Sequence, residues 1–339
     1  MAVTSKDISS KSEWENFILK TESNFLQSWN WGQFSAKVSR PSFFRGYYRD
    51  NRLIGVCLFV LEDARRGRYL TAPDGPVIDW EDKELIQAWK EDAKRLGKQN
   101  KCVFVRVLPP LRQTRRAKRI FKDLGFRPAM MHLHAEHTHL LDLTKELGEL
   151  KANFRKNTRY EIKRAAKRGI KITKSTNPED IKQFYDIQLK TAKRHSFVPY
   201  SYPYLYEQFK QFNEDGQVAL YTAKKDDQII AQAFIIFYNK EAAYHYGAST
   251  ELGRKEPGAY LIQWQAIQDA KARGLKRYNF WGVVDPEDTK HKFYGVSVFK
   301  RGFRGEDFKH LPTQDLVISK FRYPLTYVVE YIRKKVRKL

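Results

Sequence analysis

The chain is expected to be an α+β protein made of two copies of one fold, and three observations lead there. Its 339 residues exceed what a single hydrophobic core usually organises. A pattern of hairpin, helix, strand and closing glycine turn occurs twice in the same order. Hydrophobic residues make up 42%, with 22 Phe, 19 Tyr and 7 Trp, which excludes a disordered or fibrous chain and gives each half the means to bury a core.

From Tyr48, YRDNRLIGVCLFVLE reads as strand, polar turn and apolar strand. From Tyr221, YTAKKDDQIIAQAFIIFYN repeats it, with Ile54-Gly55 answering Ile230-Ala231. Next, LIQAWKEDAKRLGKQNKCVFVRVLPP matches LIQWQAIQDAKARGLKRYNFWGVVDP: an amphipathic helix, a break at Gly97 or Gly274, then an apolar strand ending at proline. Each copy closes alike, with Phe121-Lys122 and Gly125-Phe126 answering Phe299-Lys300 and Gly302-Phe303. This order of elements is that of an acyltransferase fold of the GNAT kind, so a tandem of two GNAT-like domains is expected. The boundaries read as 1–145 for the first and 146–312 for the second. The second opens on a basic helix, RKNTRYEIKRAAKRG, ending at Gly169. Residues 313–339 contain YPLTYVVEYIRKKVRKL, an amphipathic helix with a basic end. It is expected to pack on the first domain, the alternative being contact with a membrane surface.

The formal net charge of +24 implies an anionic partner, for which nucleic acid, anionic lipid and pyrophosphate-bearing substrates all qualify. Cys57 and Cys102 each lie in an apolar run, which leaves no disulfide framework or four-cysteine metal site and points to a reducing compartment. The first residues lack the apolar core of a signal peptide, and no run of about 18 apolar residues occurs. A cytoplasmic monomer, peripheral at most to the inner face of the plasma membrane, is expected.

An acyl-CoA enzyme of this fold needs a loop of glycines whose N–H groups converge on pyrophosphate. The second copy offers Arg254-Lys-Glu-Pro257-Gly258-Ala259, where Pro257 has no N–H to give, and the first only Asp74-Gly75-Pro76. A different acyl donor is therefore expected. His132, His134, His137 and His139 in HLHAEHTH invite a zinc proposal, yet no cysteine ligand is near and a polar interdomain strand explains them. A GxSxG elbow is missing, which disfavours hydrolase chemistry. What remains is aromatic and basic: Tyr200, Tyr202 and Tyr204, then Tyr244 and Tyr246, whose alternation fits one strand face, and Phe299-Lys300. Two phenols and a lysine near a cleft suit acyl transfer, with Lys300 stabilising the oxyanion as an amine attacks an ester.

At these residues a family resemblance emerges. QSWNWGQF, DGPVIDW, HTHLLDLT, NTRYEIKRAAKRG, YHYGAST, PGAYLIQWQAIQDAKARG, YNFWGVVDP and FYGVSVFKRGF together resemble the FemABX proteins along essentially the whole chain. The start of the second copy has no room for the long helical hairpin that some members carry, so the compact form is implied. The resemblance implies transfer of an amino acid from aminoacyl-tRNA to the stem-peptide amine of a peptidoglycan precursor, either lipid II or UDP-MurNAc-pentapeptide. It implies no cofactor. By position it makes Lys300 and Phe299 the catalytic pair and Tyr204 and Tyr246 residues of the precursor cleft. An early lysine of the family is Ser35 here, with Lys37 as its substitute, and a cleft arginine is Tyr200. The family's YDFGG segment reads Tyr278-Asn279-Phe280-Trp281-Gly282, an amide replacing a carboxylate. Arg155, Lys156, Arg159, Lys163, Arg164, Lys167 and Arg168 are the candidates for tRNA phosphates, or else a solvated helix face. The rival readings are an N-acyltransferase using acyl-CoA or another acceptor, and a non-catalytic RNA- or membrane-binding descendant.

Overall fold

The computed structural model describes residues 2–64, 67–195 and 197–337. They gather into two compact units: Met1–Glu136 with Lys309–Leu339, and His137–Phe308. Each unit is α+β with one seven-stranded sheet. The first sheet runs, in spatial order, Thr4–Asp7, Ser42–Arg49, Arg52–Ala64, Gly67–Pro73, Phe104–Leu108, Gln314–Val317 and Arg127–Pro128. The second runs Lys171–Ser175, Val218–Lys225, Gln228–Tyr238, Glu241–Ser249, Arg277–Gly282, His137–Asp142 and Glu306–Lys309. In both, the fourth and fifth strands are parallel. A parallel pair needs a crossover, and the helices Lys83–Gln99 and Gly258–Ala272 supply it. These are the helices that the repeated pattern places between the same strands.

The sixth position corrects the expected boundaries. His137–Asp142 follows the last strand of the first copy in sequence, yet it pairs antiparallel with Arg277–Gly282 of the second sheet. Gln314–Val317 follows the last strand of the second copy, yet it pairs with Phe104–Leu108 and Arg127–Pro128 of the first. Each copy thus gives its final strand to the other's sheet. The divisions fall at 136/137 and 308/309 instead of 145/146 and 312/313. Strand pairing decides this, and pairing is not encoded in the local pattern of a short apolar run.

The first core gathers Phe59, Leu70, Trp89, Val105, Phe121 and Phe126. The second gathers Phe154, Tyr221, Ile235, Trp264, Phe280 and Phe303. At the C-terminus, the helix Arg322–Arg337 buries Tyr323, Thr326 and Glu330 against the first unit. There the Arg106 guanidinium grips Asp315 at 2.8 Å and Glu330 at 2.8 and 3.0 Å, and Tyr323 donates to Asp315. Among the described residues, no helix is long and apolar enough to cross a membrane.

Candidate functional site

The second unit opens where its parallel pair comes apart. Glu241–Ser249 and Arg277–Gly282 are in register only at Glu241↔Arg277, Ala242↔Tyr278 and Ala243↔Asn279. Both strands then bend. On the first, Ile235 faces Tyr244 and Phe234 faces Tyr246, which leaves His245 as the extra residue of a β-bulge. On the second, the register against His137–Asp142 shifts between Asn279 and Gly282, and Trp281 adopts a left-handed φ of 64°. Asn279 stabilises that turn. Its carbonyl oxygen accepts from the Trp281 N–H at 2.8 Å while its amide donates to Glu241 at 3.1 Å. An aspartate could make only the first of these bonds and would oppose the buried Glu241 carboxylate, so the amide at 279 suits this site.

The bulge also overturns the expectation that Tyr244 and Tyr246 share a face. Their partners Ile235 and Phe234 are adjacent and so point to opposite sides. Tyr244 packs on the core of the second unit, and burial pushes its phenol up to about 12. Tyr246 turns the other way, against Phe234 at 5.5 Å and Tyr200 at 5.8 Å between ring centroids.

Lys300 lies in the opening. It is carried by the helix Tyr294–Arg301, and its side chain is only 7% exposed. Nζ donates to the Gly282 carbonyl at 2.7 Å and stands over the Tyr244 ring at 5.6 Å, touching one residue from each diverging strand. Burial brings its pKa down to about 7, because the ammonium is desolvated with no carboxylate beside it. The helix is tied at both ends. The Ser297 hydroxyl accepts from the Val284 N–H at 2.9 Å, and Arg301 binds Asp307 at 2.7 Å and the Val284 carbonyl. Phe299 points to the core side, edge-on to Tyr260 at 4.8 Å and Phe303 at 5.6 Å. Of the expected pair, Lys300 faces the opening and Phe299 anchors the helix that carries it.

A row of rings leads away from Lys300. Trp281, which precedes the Gly282 acceptor, meets His245 edge-on at 5.2 Å, and His245 lies 3.9 Å from Tyr246. Gln208 hydrogen-bonds the His245 ring at 3.1 Å. Tyr200 stacks on Tyr204 at 4.3 Å with planes 9° apart, completing the row. Tyr200, Tyr204 and Tyr246 are therefore one cluster that reaches Trp281 through His245, and Lys300 bonds the carbonyl of the next residue, Gly282. Sequence reasoning did not single out His245 or Trp281, because neither a bulge nor a left-handed tryptophan has a local signature. Lys37 belongs to the first unit, exposed in the last turn of the helix Trp29–Lys37, while Ser35 is buried and bonds to the Trp31 carbonyl.

The basic helix spans Lys156–Lys167, and its start adjoins the lysine helix, since the Arg155 N–H donates to the Gly302 carbonyl at 2.9 Å. Its cations divide into two groups. Arg159 satisfies the Ala152 and Phe154 carbonyls at the end of the preceding helix. Arg164 pairs with Glu161, and Arg168 pairs with the buried Glu256. Lys156, Lys163 and Lys167 are exposed and, among the described residues, enter no ion pair. With Tyr160, 60% exposed, they follow i, i+4, i+7, i+11 spacing and so form one stripe.

Two other sequence motifs are resolved by their surroundings. Glu256, held by Arg168 and Lys225 at 2.8 and 2.9 Å, places a carboxylate just ahead of the helix that begins after Pro257. A pyrophosphate there would meet that carboxylate, which adds to the missing N–H of Pro257. The four histidines straddle the division between the units. His132 and His134 lie on one side, both lowered by burial, His134 to about 4. His139 on the other binds Asp307 at 2.7 Å and the Arg304 carbonyl at 2.9 Å. Among the described residues, no cluster of three or more such side chains is placed to hold a metal ion.

Comparison with known proteins agrees with this architecture. A family model described as FemAB family matches residues 9–123, and one for the acetyltransferase (GNAT) domain matches 152–301. The chain is 21% identical to a lipid II:glycine glycyltransferase of Staphylococcus epidermidis over 78% of this chain and 79% of that protein. It is 22% identical to the aminoacyltransferase FemA of Staphylococcus aureus, over 77% and 82%. The crystal structure of FemX superposes with a TM-score of 0.84 at 18% identity, covering 96% of this chain and all of that one, which speaks for the fold. Two models that divide the chain between them, relatives aligned over three quarters of it and a shared fold lead to one conclusion: the chain is similar to FemABX proteins over most of its length and is a transferase built from two GNAT-like halves.

Proposed function

We propose that the protein transfers an amino acid from aminoacyl-tRNA to the stem-peptide amine of a peptidoglycan precursor, building the interpeptide bridge. The observation that carries this reading is the Lys300 ammonium, desolvated in the opening between the diverging strands. The names of the relatives, a lipid II:glycine glycyltransferase and an aminoacyltransferase, support the reaction class and the acceptor.

The donor ester is already activated, so the chemistry needs alignment and charge stabilisation without a covalent enzyme intermediate. The acceptor amine attacks the ester carbonyl carbon and the carbonyl oxygen becomes an oxyanion. The C–O bond to the tRNA ribose then breaks, the departing oxygen takes the proton the amine sheds, and an amide remains. Lys300 serves the oxyanion in its protonated form: the ammonium has three N–H donors, of which Gly282 occupies one. Tyr200, Tyr204 and Tyr246 are the proposed contacts to the precursor. The stripe of Lys156, Lys163 and Lys167 with Tyr160 suits a phosphate backbone interleaved with a stacking base.

The test combines the purified protein, a tRNA pool charged with radiolabelled amino acids, and lipid II or UDP-MurNAc-pentapeptide as acceptor. RNase-sensitive label on an acceptor is the expected result. Label that survives RNase and requires acyl-CoA would replace this reading with that of an ordinary N-acyltransferase, which Pro257 and Glu256 oppose.

A further inference from the structure

The helix Arg322–Arg337 presents two faces with opposite fates. Its inner face is fixed to the first unit by Tyr323, Thr326 and Glu330, the last through the buried pair with Arg106. Its outer face is apolar and bare. Phe321 just before it is 97% exposed, and Leu325, Val328, Ile332 and Val336 follow at 71%, 52%, 55% and 77%. Steps of four, three, four and four residues put these side chains on one line along the helix. Sixteen residues at 1.5 Å each make that line about 24 Å long. Scattered apolar residues on a surface need no explanation, but a continuous exposed row does.

We infer that this row is a membrane-surface helix, lying in the interface of an anionic phospholipid bilayer with its axis in the membrane plane. Charge selects the occupant. Arg322, Arg333 and Lys335 flank the row, and the helix's one carboxylate, Glu330, is buried in its ion pair with Arg106. A second copy docked through the same face would bring these cations together, whereas anionic head groups would neutralise them. A groove beside the first turn strengthens the assignment: Arg68, Lys101 and Arg322 line it next to Leu325, with Asp63 as its one acid. Cations beside an apolar side chain match a phosphate ester above an acyl chain. The helix is too short and too charged to cross, so it lies on the surface. The buried Arg106 contacts hold it in place, so binding requires no unfolding of the C-terminus.

The experiment is co-sedimentation of the full chain with large vesicles of phosphatidylglycerol and phosphatidylcholine that contain no precursor, which makes it independent of the proposed reaction. The chain is expected to pellet with the mixed vesicles and to release as salt rises. The variant Leu325→Ser/Val328→Ser/Ile332→Ser alters only exposed side chains and is expected to lose about tenfold or more of that binding, with its melting temperature retained. In Val328→Trp, indole emission should move to the blue on vesicle addition. Equal binding to pure phosphatidylcholine would overturn the anionic assignment, and full binding by the triple serine variant would overturn the location. A concentration-dependent dimer in sedimentation, abolished by the triple serine variant without any vesicle binding, would assign the face to a second copy instead.

Discussion

The two sheets share one strand order, yet their parallel pairs end differently. In the first unit, Gly67–Pro73 and Phe104–Leu108 stay in register to the last residue of both strands, Pro73↔Leu108. In the second, pairing stops at Ala243↔Asn279, and the freed ends of both strands turn away. Around the closed pair the first unit builds a buried ion cluster, Arg106 with Asp315 and Glu330. Into the open pair the second unit puts one desolvated lysine without a counter-ion. Helix starts follow the same division. Ser10, Ser28, Asp82 and Thr114 each cap a helix of the first unit through their side chains, worth about 1 kcal/mol apiece. The helices beginning at Leu147, Lys156, Tyr202, Gly258 and Tyr294 in the second have no such cap. A duplicated fold has divided its labour: one copy is tuned for stability, and the other keeps a costly opening, the one the proposed transfer would use.

That division can be broken by experiment. The largest effect is expected from Arg106→Met, which leaves Asp315 and Glu330 buried without their cation. It should cost about 3–5 kcal/mol in urea unfolding, while the transfer rate per folded molecule is retained. A catalytic loss in the folded variant would refute the view of the first unit as scaffold. Lys300→Met should lower kcat/KM for transfer by about 10²–10³-fold, whereas Lys122→Met, at the matching position of the first copy and exposed, should leave it within about twofold.

The same Lys300→Met variant should be more stable than the parent, by up to about 4 kcal/mol near neutral pH, because a buried ammonium is removed. The sign of its pH dependence follows from the shift. With a folded pKa of about 7 against 10.5 in the unfolded chain, the unfolded state binds more protons across that window. Parent stability therefore rises relative to the variant from pH 7 to 10.5, and the gap is widest below pH 7. Melting curves of both proteins over this range would show it, and a gap that stays constant would mean that Lys300 titrates normally. The smallest effect is expected from Lys156→Ala/Lys163→Ala/Lys167→Ala. It should weaken tRNA binding and flatten the log–log salt dependence by about three, without changing the rate at saturating tRNA.

The repeat was legible because its helices and strands are long enough to print their periods: the crossover helices and the paired hairpins lie where the pattern places them. The exchange of the sixth strands was not. HTHLLD reads as a strand whichever sheet receives it, and only pairing distinguishes the two. At the site, Lys300 and the tyrosines were visible as residue types, but the opening was not, since it depends on an extra residue at His245 that inverts every side chain beyond it. Arg168 looked like a free cation in sequence because its carboxylate partner, Glu256, lies 88 residues away, whereas the partner of Arg164 is Glu161 in the preceding turn.

The exchanged strands also bear on how the protein is made. A ribosome delivers the chain from residue 1 at roughly 5–20 residues per second. The segment Met1–Glu136 emerges first but lacks its sixth strand until Gln314–Val317 is translated, whereas His137–Phe308 is complete in one stretch. The half encoded second is thus the first able to close its sheet, and the half encoded first must hold an unpaired edge until Gln314–Val317 has been made. Premature termination just after Phe308 would spare the unit that carries Lys300 and leave its scaffold unfinished.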